Sequence, residues 1–352
     1  MKDGKFGWGI IGTGMIAAHF RAGIEACKNA ELVAVCNRTE EKGRRFAEAS
    51  GGVKFYSDYE KLVEDPDIDI VGVTTPSGLH ADNVIAAAQA GKHAFCEKPL
   101  DISREKMSAM IQACREANVK LGCVFQSRTK EDIRKIHSAI QRGELGKMVL
   151  GDAFLKTYRS QAYYNEAGWK GTLALDGGGA LMNQGVHGVD LLLWLMNDDV
   201  ESVFARADHK VRDIEVEDTA VACLKYKSGA FGTIIGTTSC NPGESSRIEL
   251  HGKYGTITIS DAQITRWAVT DEEDGLAQDR FPPQSFEVAG SVADPKAISS
   301  DGHIYLVNDM VNAIREDRAP YIPGESARKA VDLILAIYES AKTGQEILLD
   351  EW

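Results

Sequence analysis

The sequence has no Cys-x-x-Cys pair, no excess of basic charge, and no apolar run as long as the roughly 18 residues a membrane helix requires. Each absence removes a class of function. The seven cysteines (27, 36, 96, 114, 123, 223 and 240) are odd in number and sit mostly in apolar runs such as Ala94-Phe95-Cys96. They are expected to be buried free thiols in a reducing, cytoplasmic compartment, not a disulfide framework. Lysine plus arginine total 40 against 52 aspartates and glutamates, a formal charge of −12. A field of that sign repels nucleic acid and anionic membrane, which leaves a small molecule as the expected partner. Lys2 and Lys5 ahead of Phe6 to Ala18 imitate a secretory leader, but Gly7, Gly9, Gly12 and Gly14 interrupt the apolar stretch. Histidines 80, 93, 187 and 251 lack partners at metal-ligand spacing, so no metal is expected. Internal repeats and low-complexity segments are absent as well.

What is present is a chain of 352 residues, 43% hydrophobic and 26% charged, long enough for two globular domains. Residues 1–127 alternate short apolar strands with helices. Strands are expected at 7–11, 32–36, 68–74, 94–96 and 120–125. Helices are expected at 15–27, 40–49, 58–64 with Ser57 as N-cap, 79–90, and from Ser103 to Asn118. That alternation predicts a doubly wound parallel sheet, a Rossmann domain. From 128 to 352 the pattern changes. After a helix at 130–142 come strand-like runs at 148–158, 203–211, 219–226, 230–238, 247–251 and 256–259. An apolar helix is expected at 181–195, two more at 303–315 and 325–341, and a polar loop at 271–300. The grouping predicts a C-terminal α+β domain with a mostly antiparallel sheet, for an α/β protein overall.

Gly12-Thr13-Gly14-Met15-Ile16-Ala17 follows the first strand and opens the first helix. In a G-x-G-x-x-A turn the first glycine permits the tight turn and the second lets backbone approach a pyrophosphate. The small last residue allows close helix packing. The free N–H groups of the helix then face the phosphates. The second strand ends Cys36-Asn37-Arg38-Thr39, with Lys42 one turn on and no carboxylate at the tip. Arg38 and Lys42 can pair with the 2′-phosphate of NADP. Alternatively, Asn37 holds the ribose of NAD.

Four further motifs complete a pattern: Thr75-Pro76-Ser77-Gly78-Leu79-His80, Glu97-Lys98-Pro99-Leu100, Gly177-Gly178-Gly179-Ala180-Leu181-Met182-Asn183-Gln184-Gly185-Val186-His187, and Asp190. Together with the glycine turn they resemble the glucose–fructose oxidoreductase/inositol dehydrogenase (Gfo/Idh/MocA) family over essentially the whole chain. The resemblance implies an NAD(P)-dependent dehydrogenase acting on a secondary hydroxyl of a sugar, cyclitol or nucleotide sugar. It adds Thr75, Pro76, Ser77, His80, Glu97, Lys98, Gln126 and Trp169 to the cofactor contacts. It also implies a homodimer or homotetramer closed over an apolar sheet face, for which alternate residues of 230–238 are candidates. Arg159-Ser160-Gln161-Ala162-Tyr163-Tyr164, Trp169-Lys170-Gly171-Thr172, Asn183-Gln184 and Ile214 to Thr219 are further similar to bacterial dehydrogenases that oxidise the 3-hydroxyl of UDP-N-acetylated aminosugars. On that similarity Arg159, Tyr163 and Tyr164 line the sugar pocket with Lys98, Asn183 and His187.

Oxidising an alcohol requires a hydride acceptor, a proton acceptor and a group that stabilises the developing alkoxide. The resemblance places Lys98 beside the nicotinamide, next to a Lys98–Pro99 bond that is often cis. A lysine near its reference pKa of about 10.4 is a weak base at neutral pH, so a charged Lys98 would stabilise alkoxide. His187, with a reference pKa of about 6.5, is the better proton acceptor. Asp190 is expected to be a structural partner. Many family members carry Asp four residues before the histidine; this chain has Asn183, which can hydrogen-bond a hydroxyl but cannot take its proton. Two other functions share the fold: a non-catalytic NAD(P)-binding regulator and an enzyme that cleaves glycosides through transient oxidation. Retention of Lys98 and His187 speaks against the first.

Overall fold

Phe6–Ile11 (β1) is buried at all six positions, as a strand covered on both faces must be. In the computed structural model, which describes residues 4–272, 275–281 and 299–351, it is the centre of a parallel sheet. The other strands are Ala30–Cys36 (β2), Lys54–Tyr56 (β3), Ile70–Val73 (β4), His93–Cys96 (β5) and Leu121–Cys123 (β6), in the order β3-β2-β1-β4-β5-β6. The connecting helices are Ala17–Ala26 (α1), Glu40–Ala49 (α2), Tyr59–Val63 (α3), His80–Gln89 (α4) and Arg104–Glu116 (α5). This is the strand order of a dinucleotide-binding domain, with its switch point between β1 and β4.

Two local expectations are corrected. Asp58, not Ser57, caps α3 and accepts from the Glu60 amide at 3.0 Å; a carboxylate is the stronger acceptor beside a helix N-terminus. β3, unread in the sequence, is three residues long and lies at the sheet edge, too short to show alternation.

The chain divides into two compact units, Met1–Gln126 with Pro295–Arg328, and Ser127–Asp294 with Lys329–Trp352. The first unit therefore takes back a segment that a split at 127/128 assigns to the second. The returning helix Asp301–Arg315 packs on α1. Phe20 lies 5.7 Å from the His303 ring, and a Cβ on Gly23 would stand 2.8 Å from Val307. The Cys123 amide then donates to the Ile322 carbonyl at 2.9 Å.

The second unit contains Glu131–Gln141 (α6), Met148–Lys156 (β7), Gln161–Asn165 (α7), Val186–Met196 (α8), Val200–Asp208 (β8), Thr219–Tyr226 (β9), Phe231–Thr237 (β10), Arg247–Gly252 (β11), Gly255–Ser260 (β12), Gln263–Val269 (β13), Gln278–Phe281 (β14) and Ile347–Leu348 (β15). Helix Asp301–Arg315 is α9 and Gly324–Thr343 is α10. The sheet order is β14-β13-β12-β11-β7-β10-β9-β8-β15, antiparallel except for the β7–β10 pair. Burial alternates along β9 and β10, so one face is packed and the other open. On the packed face Leu155 of β7 meets the bare backbone of Gly188 in α8. The open face carries Phe204, Val221 and Phe231, which are 41%, 45% and 60% exposed.

The expected loop at 271–300 contains a strand, β14, paired with β13; residues 282–298 lie outside the described residues. The helix expected over 181–195 begins instead as a π-helix, Ala180–Gly185, before α8. The seven cysteines are free thiols, and no helix among the described residues is long and apolar enough to cross a membrane.

Candidate active site

In the first unit the glycine turn is constrained from one side and open on the other. Gly12 has φ +94°, and a Cβ there would stand 2.7 Å from the Thr74 carbonyl oxygen, so only glycine fits. The Thr74 hydroxyl secures the turn by donating to the Gly12 carbonyl at 2.8 Å, a role that sequence reading missed. A Cβ on Gly14 would meet nothing within 4 Å. Thr13 Oγ1 is buried and has no hydrogen-bond partner among the described residues. An open cradle beside an orphaned hydroxyl fits a pyrophosphate. Met15 and Ile16 form the turn into α1, with Met15 half exposed at 51%. At the tip of β2 Asn37 donates to the Thr39 carbonyl at 3.3 Å. Arg38 and Lys42 are exposed, and neither has an ion pair among the described residues.

The segment after β4 is tied to the segment after β5. Both His80 ring nitrogens contact carbonyl oxygens, of Pro99 at 2.8 Å and Thr75 at 2.9 Å. His80 was expected to touch cofactor; its two nitrogens are already occupied, which makes it a strut between the two loops. The Thr75 hydroxyl donates to Asn83, Pro76 is extended, and Ser77 is buried at the start of a short 3-10 turn. Glu97 is buried; it accepts from the Lys98 amide at 3.0 Å and bonds His303 Nε2 at 2.8 Å. Burial alone pushes the Glu97 carboxyl up, but the His303 bond and the Lys98 charge outweigh it and hold the group below its ordinary value. The Lys98–Pro99 bond is cis. Gln126 packs against α9; its Cβ lies 2.5 Å from where a Cβ on Gly302 would stand. The strand sequence alone offers no signal for His303, which is contributed 206 residues later.

In the second unit the triple glycine leads into the π-helix. A Cβ on Gly179 would stand 2.2 Å from the Glu217 carbonyl oxygen. The Glu217 side chain accepts from the amides of Gly179 and Leu181, at 3.0 and 2.8 Å, and from the Tyr338 hydroxyl at 2.7 Å. Burial pushes its carboxyl up in spite of these donors. Asn183 sits within the π-helix and His187 in the first turn of α8. Their four-residue spacing therefore crosses a junction from π-helix to α-helix, and a π turn takes more residues than an α turn. The Asn183 amide donates to buried Asp176, and its carbonyl accepts from Gln184 at 2.5 Å. Arg159 donates to Gln184 at 3.0 Å, and Gln184 donates to the Tyr163 hydroxyl at 2.9 Å. Tyr164 departs from its expected place in a sugar pocket. It is 5% exposed, its hydroxyl is bonded to Thr238 at 2.9 Å, and burial pushes it up to about 12. Trp169 is half-buried in a turn of this unit, its carbonyl accepting from Thr172, apart in sequence from the other expected cofactor contacts.

Asp190 is the structural partner expected. Arg128 grips it with two bonds, Nε to Oδ2 at 2.8 Å and the second at 2.5 Å, and both side chains are buried. His251, for which the sequence showed no partner, shares a face of β11 with Glu249, and pairing with β7 brings Asp152 to them, with ligand-type atoms within 4.8 Å of one another. Protein groups already engage each of them: Thr233 on Asp152, Arg247 on Glu249 and Thr256 on His251.

Residues 6–125 match the oxidoreductase family with an NAD-binding Rossmann fold, and residues 133–258 match the GFO/IDH/MocA C-terminal domain. The chain is 31% identical to 1,5-anhydro-D-fructose reductase of Ensifer adhaerens over 96% of its own length and 97% of that protein. The chain belongs to the GFO/IDH/MocA oxidoreductase family. Myo-inositol 2-dehydrogenase of Thermotoga maritima is 28% identical over 97% of this chain and 98% of that one. Among solved structures, the WlbA dehydrogenase of Bordetella pertussis in complex with NADH and UDP-GlcNAcA has a TM-score of 0.85 and 33% identity, covering 98% of each chain. This GFO/IDH/MocA member is thus a nicotinamide-dependent oxidoreductase built as the sequence predicted, a parallel Rossmann sheet followed by a mostly antiparallel one.

Proposed function

We propose that the enzyme oxidises a secondary ring hydroxyl of an anionic nucleotide sugar, a UDP-linked aminosugar being the first compound to test. The observation that carries this reading is a group of cations stacked on tyrosines in the second unit. Arg159 lies 5.4 Å and Lys170 3.8 Å from the Tyr163 ring centroid, and Arg212 lies 5.2 Å from that of Tyr158. Arg212 Nε is buried with no hydrogen-bond partner among the described residues, and Asp218 fixes its loop by accepting from the amides of Lys210, Val211 and Arg212. Planar guanidinium groups on aromatic faces suit diphosphate or carboxylate oxygens. The Bordetella relative, bound to UDP-GlcNAcA, supports the same class. Calorimetric titration decides it: UDP-sugars should bind at least about tenfold more tightly than the free sugars, the size of one charge-assisted contact. Equal affinities would remove the nucleotide from the reading.

When bound, the nicotinamide supplies the hydride acceptor. Gly12, Thr13, Gly14, Met15 and Ile16 would hold its pyrophosphate, and Thr75, Pro76, Ser77, Glu97 and Gln126 would form the rest of that wall. Lys98, as ammonium, stabilises the alkoxide, and His187 takes the proton. Asn183 receives a neighbouring hydroxyl. Arg38 and Lys42 favour NADP. The alternative, NAD held by Asn37, is supported by the NADH complex of the Bordetella enzyme. Arg38→Ala should weaken NADP binding by about ten- to a hundred-fold and leave NAD binding unchanged. Tighter NAD binding by the wild type, unaltered in the variant, would favour the alternative.

We further assign the open sheet face to a homodimer or homotetramer contact in the cytoplasm. Phe204 on β8, Val221 on β9 and Phe231 on β10, exposed apolar residues of that face, are its centre. Sedimentation of Phe231→Glu/Val221→Glu should show a smaller species than the wild type. A wild-type monomer at micromolar concentration would contradict the assignment.

A further inference from the structure

Position 183 carries an amide in place of the carboxylate that the family resemblance implies, yet a carboxylate is in contact with it. Asp176 is 1% exposed. Its Oδ2 accepts from the Gly171 amide at 2.7 Å and its Oδ1 accepts from the Asn183 side-chain amide. The bonds beyond Asn183 run in one direction. Arg159 Nε donates to Gln184 Oε1 at 3.0 Å, Gln184 Nε2 donates to Asn183 Oδ1 at 2.5 Å, and Asn183 Nδ2 donates to Asp176. A guanidinium stands at one end and a carboxylate at the other, so each amide between them has one favourable orientation. Turning the Asn183 amide over would set its oxygen against a carboxylate and its N–H against another N–H.

We propose that Asp176 is a positioning residue. It fixes the Asn183 amide so that the carbonyl oxygen faces away from it and toward Gln184, the orientation in which that oxygen can accept from a substrate hydroxyl as well. The carboxylate missing at 183 is in effect retained at 176, where it orients the contact and does not make it. This rests on the reading of Asn183 as a hydroxyl-binding residue in a sugar dehydrogenase. The arrangement has a consequence that runs against the family pattern. Placing Asp at 183 sets a half-buried carboxylate against the buried one of Asp176, and such a contacting pair ionises fully only at a cost; it retains a shared proton instead. Tyr164 and Tyr338 also feel the charge of Asp176, and Glu217 lies on the Tyr338 hydroxyl at 2.7 Å. These groups are the same in every variant below.

The test is a four-protein cycle of wild type, Asn183→Asp, Asp176→Asn and the exchanged pair Asp176→Asn/Asn183→Asp. Specificity (kcat/KM) is measured from pH 5 to 9 as a ratio to wild type at each pH, with dinucleotide binding as the folding control. Asn183→Asp is expected to lose about 100-fold at the alkaline end, with the deficit shrinking as pH falls and the pair takes up its proton. Asp176→Asn, which frees the amide to turn, should raise KM more than it lowers kcat. The exchanged pair restores one carboxylate against one amide and should return to within about tenfold of wild type, the range left by small misplacement. A wild-type pH profile and activity in Asn183→Asp, or an exchanged pair no better than the worse single variant, would overturn the proposal. Failure of the underlying reading looks different: the wild type itself would then turn over no sugar or nucleotide sugar, and the proposal would fall with it.

Discussion

Lys98→Met is expected to lower turnover by about 10²–10⁴-fold, or roughly 3–5 kcal/mol of barrier, while dinucleotide binding stays within a few-fold of wild type. The reason is positional. Lys98 follows β5 directly, and Glu97, held by His303, fixes its backbone amide. The glycine turn that would hold the pyrophosphate is built from β1, α1 and Thr74, none of which depends on the Lys98 side chain. A methionine keeps the length and the apolar stem and removes only the ammonium. His187→Ala should cost a similar factor but act on the other side of the reaction, flattening the acidic limb of the pH–rate profile that a proton-accepting histidine produces. Near-wild-type turnover in both variants on any accepted sugar would refute the assignment of roles.

Gly12→Ala and Gly14→Ala should fail in different ways. At Gly12 the backbone is at φ +94° and the new methyl would stand 2.7 Å from the Thr74 carbonyl, so the substitution strains the protein with or without ligand. Unfavourable backbone alone costs about 1–3 kcal/mol, and the clash adds to it. Gly12→Ala should therefore lower Tm and abolish measurable dinucleotide binding. At Gly14 the methyl meets nothing within 4 Å, so Tm should hold. The same methyl enters the space assigned to the pyrophosphate, and affinity should fall by about 100-fold. Fluorescence titration beside a melting curve reads both quantities. Wild-type affinity in Gly14→Ala would mean that the cradle holds something else.

The first unit was readable because its physics is local. Parallel strands buried on both faces give unbroken apolar runs, and the G-x-G-x-x-A turn needs glycine for reasons contained in six residues. The same holds for α2, whose limits at Glu40 and Ala49 follow from the pattern. What escaped depends on partners far along the chain. α9 returns to α1 through a long intervening stretch, and His303 reaches Glu97 only in three dimensions. The π-helix escaped because apolar spacing over Leu181 to Leu195 reads as ordinary helix; the groups that take its first amides, Glu217 and Tyr338, lie far along the chain. The resemblance over residues 159–164 implies a pocket place for both Tyr163 and Tyr164, but helical geometry turns adjacent side chains in different directions, and of the two only Tyr164 is buried. Asn183 was visible as a departure from the family pattern, while the carboxylate that compensates it, seven residues upstream across an irregular turn, was not.

The proposed chemistry requires that hydride leave a ring carbon of a nucleotide sugar for the nicotinamide. A UDP-linked N-acetylated aminosugar or its uronic acid, deuterated at the 3-carbon, reports that transfer when NAD and NADP are supplied in parallel. Reduced nicotinamide should form with one of them, carry the deuterium, and appear more slowly than with unlabelled substrate, alongside a 3-keto sugar. Reduced cofactor without deuterium would contradict the assigned position. Reduction by linear aldehydes or 2-hydroxy acids alone would contradict the substrate class and, with it, the roles assigned to Lys98, Asn183 and His187.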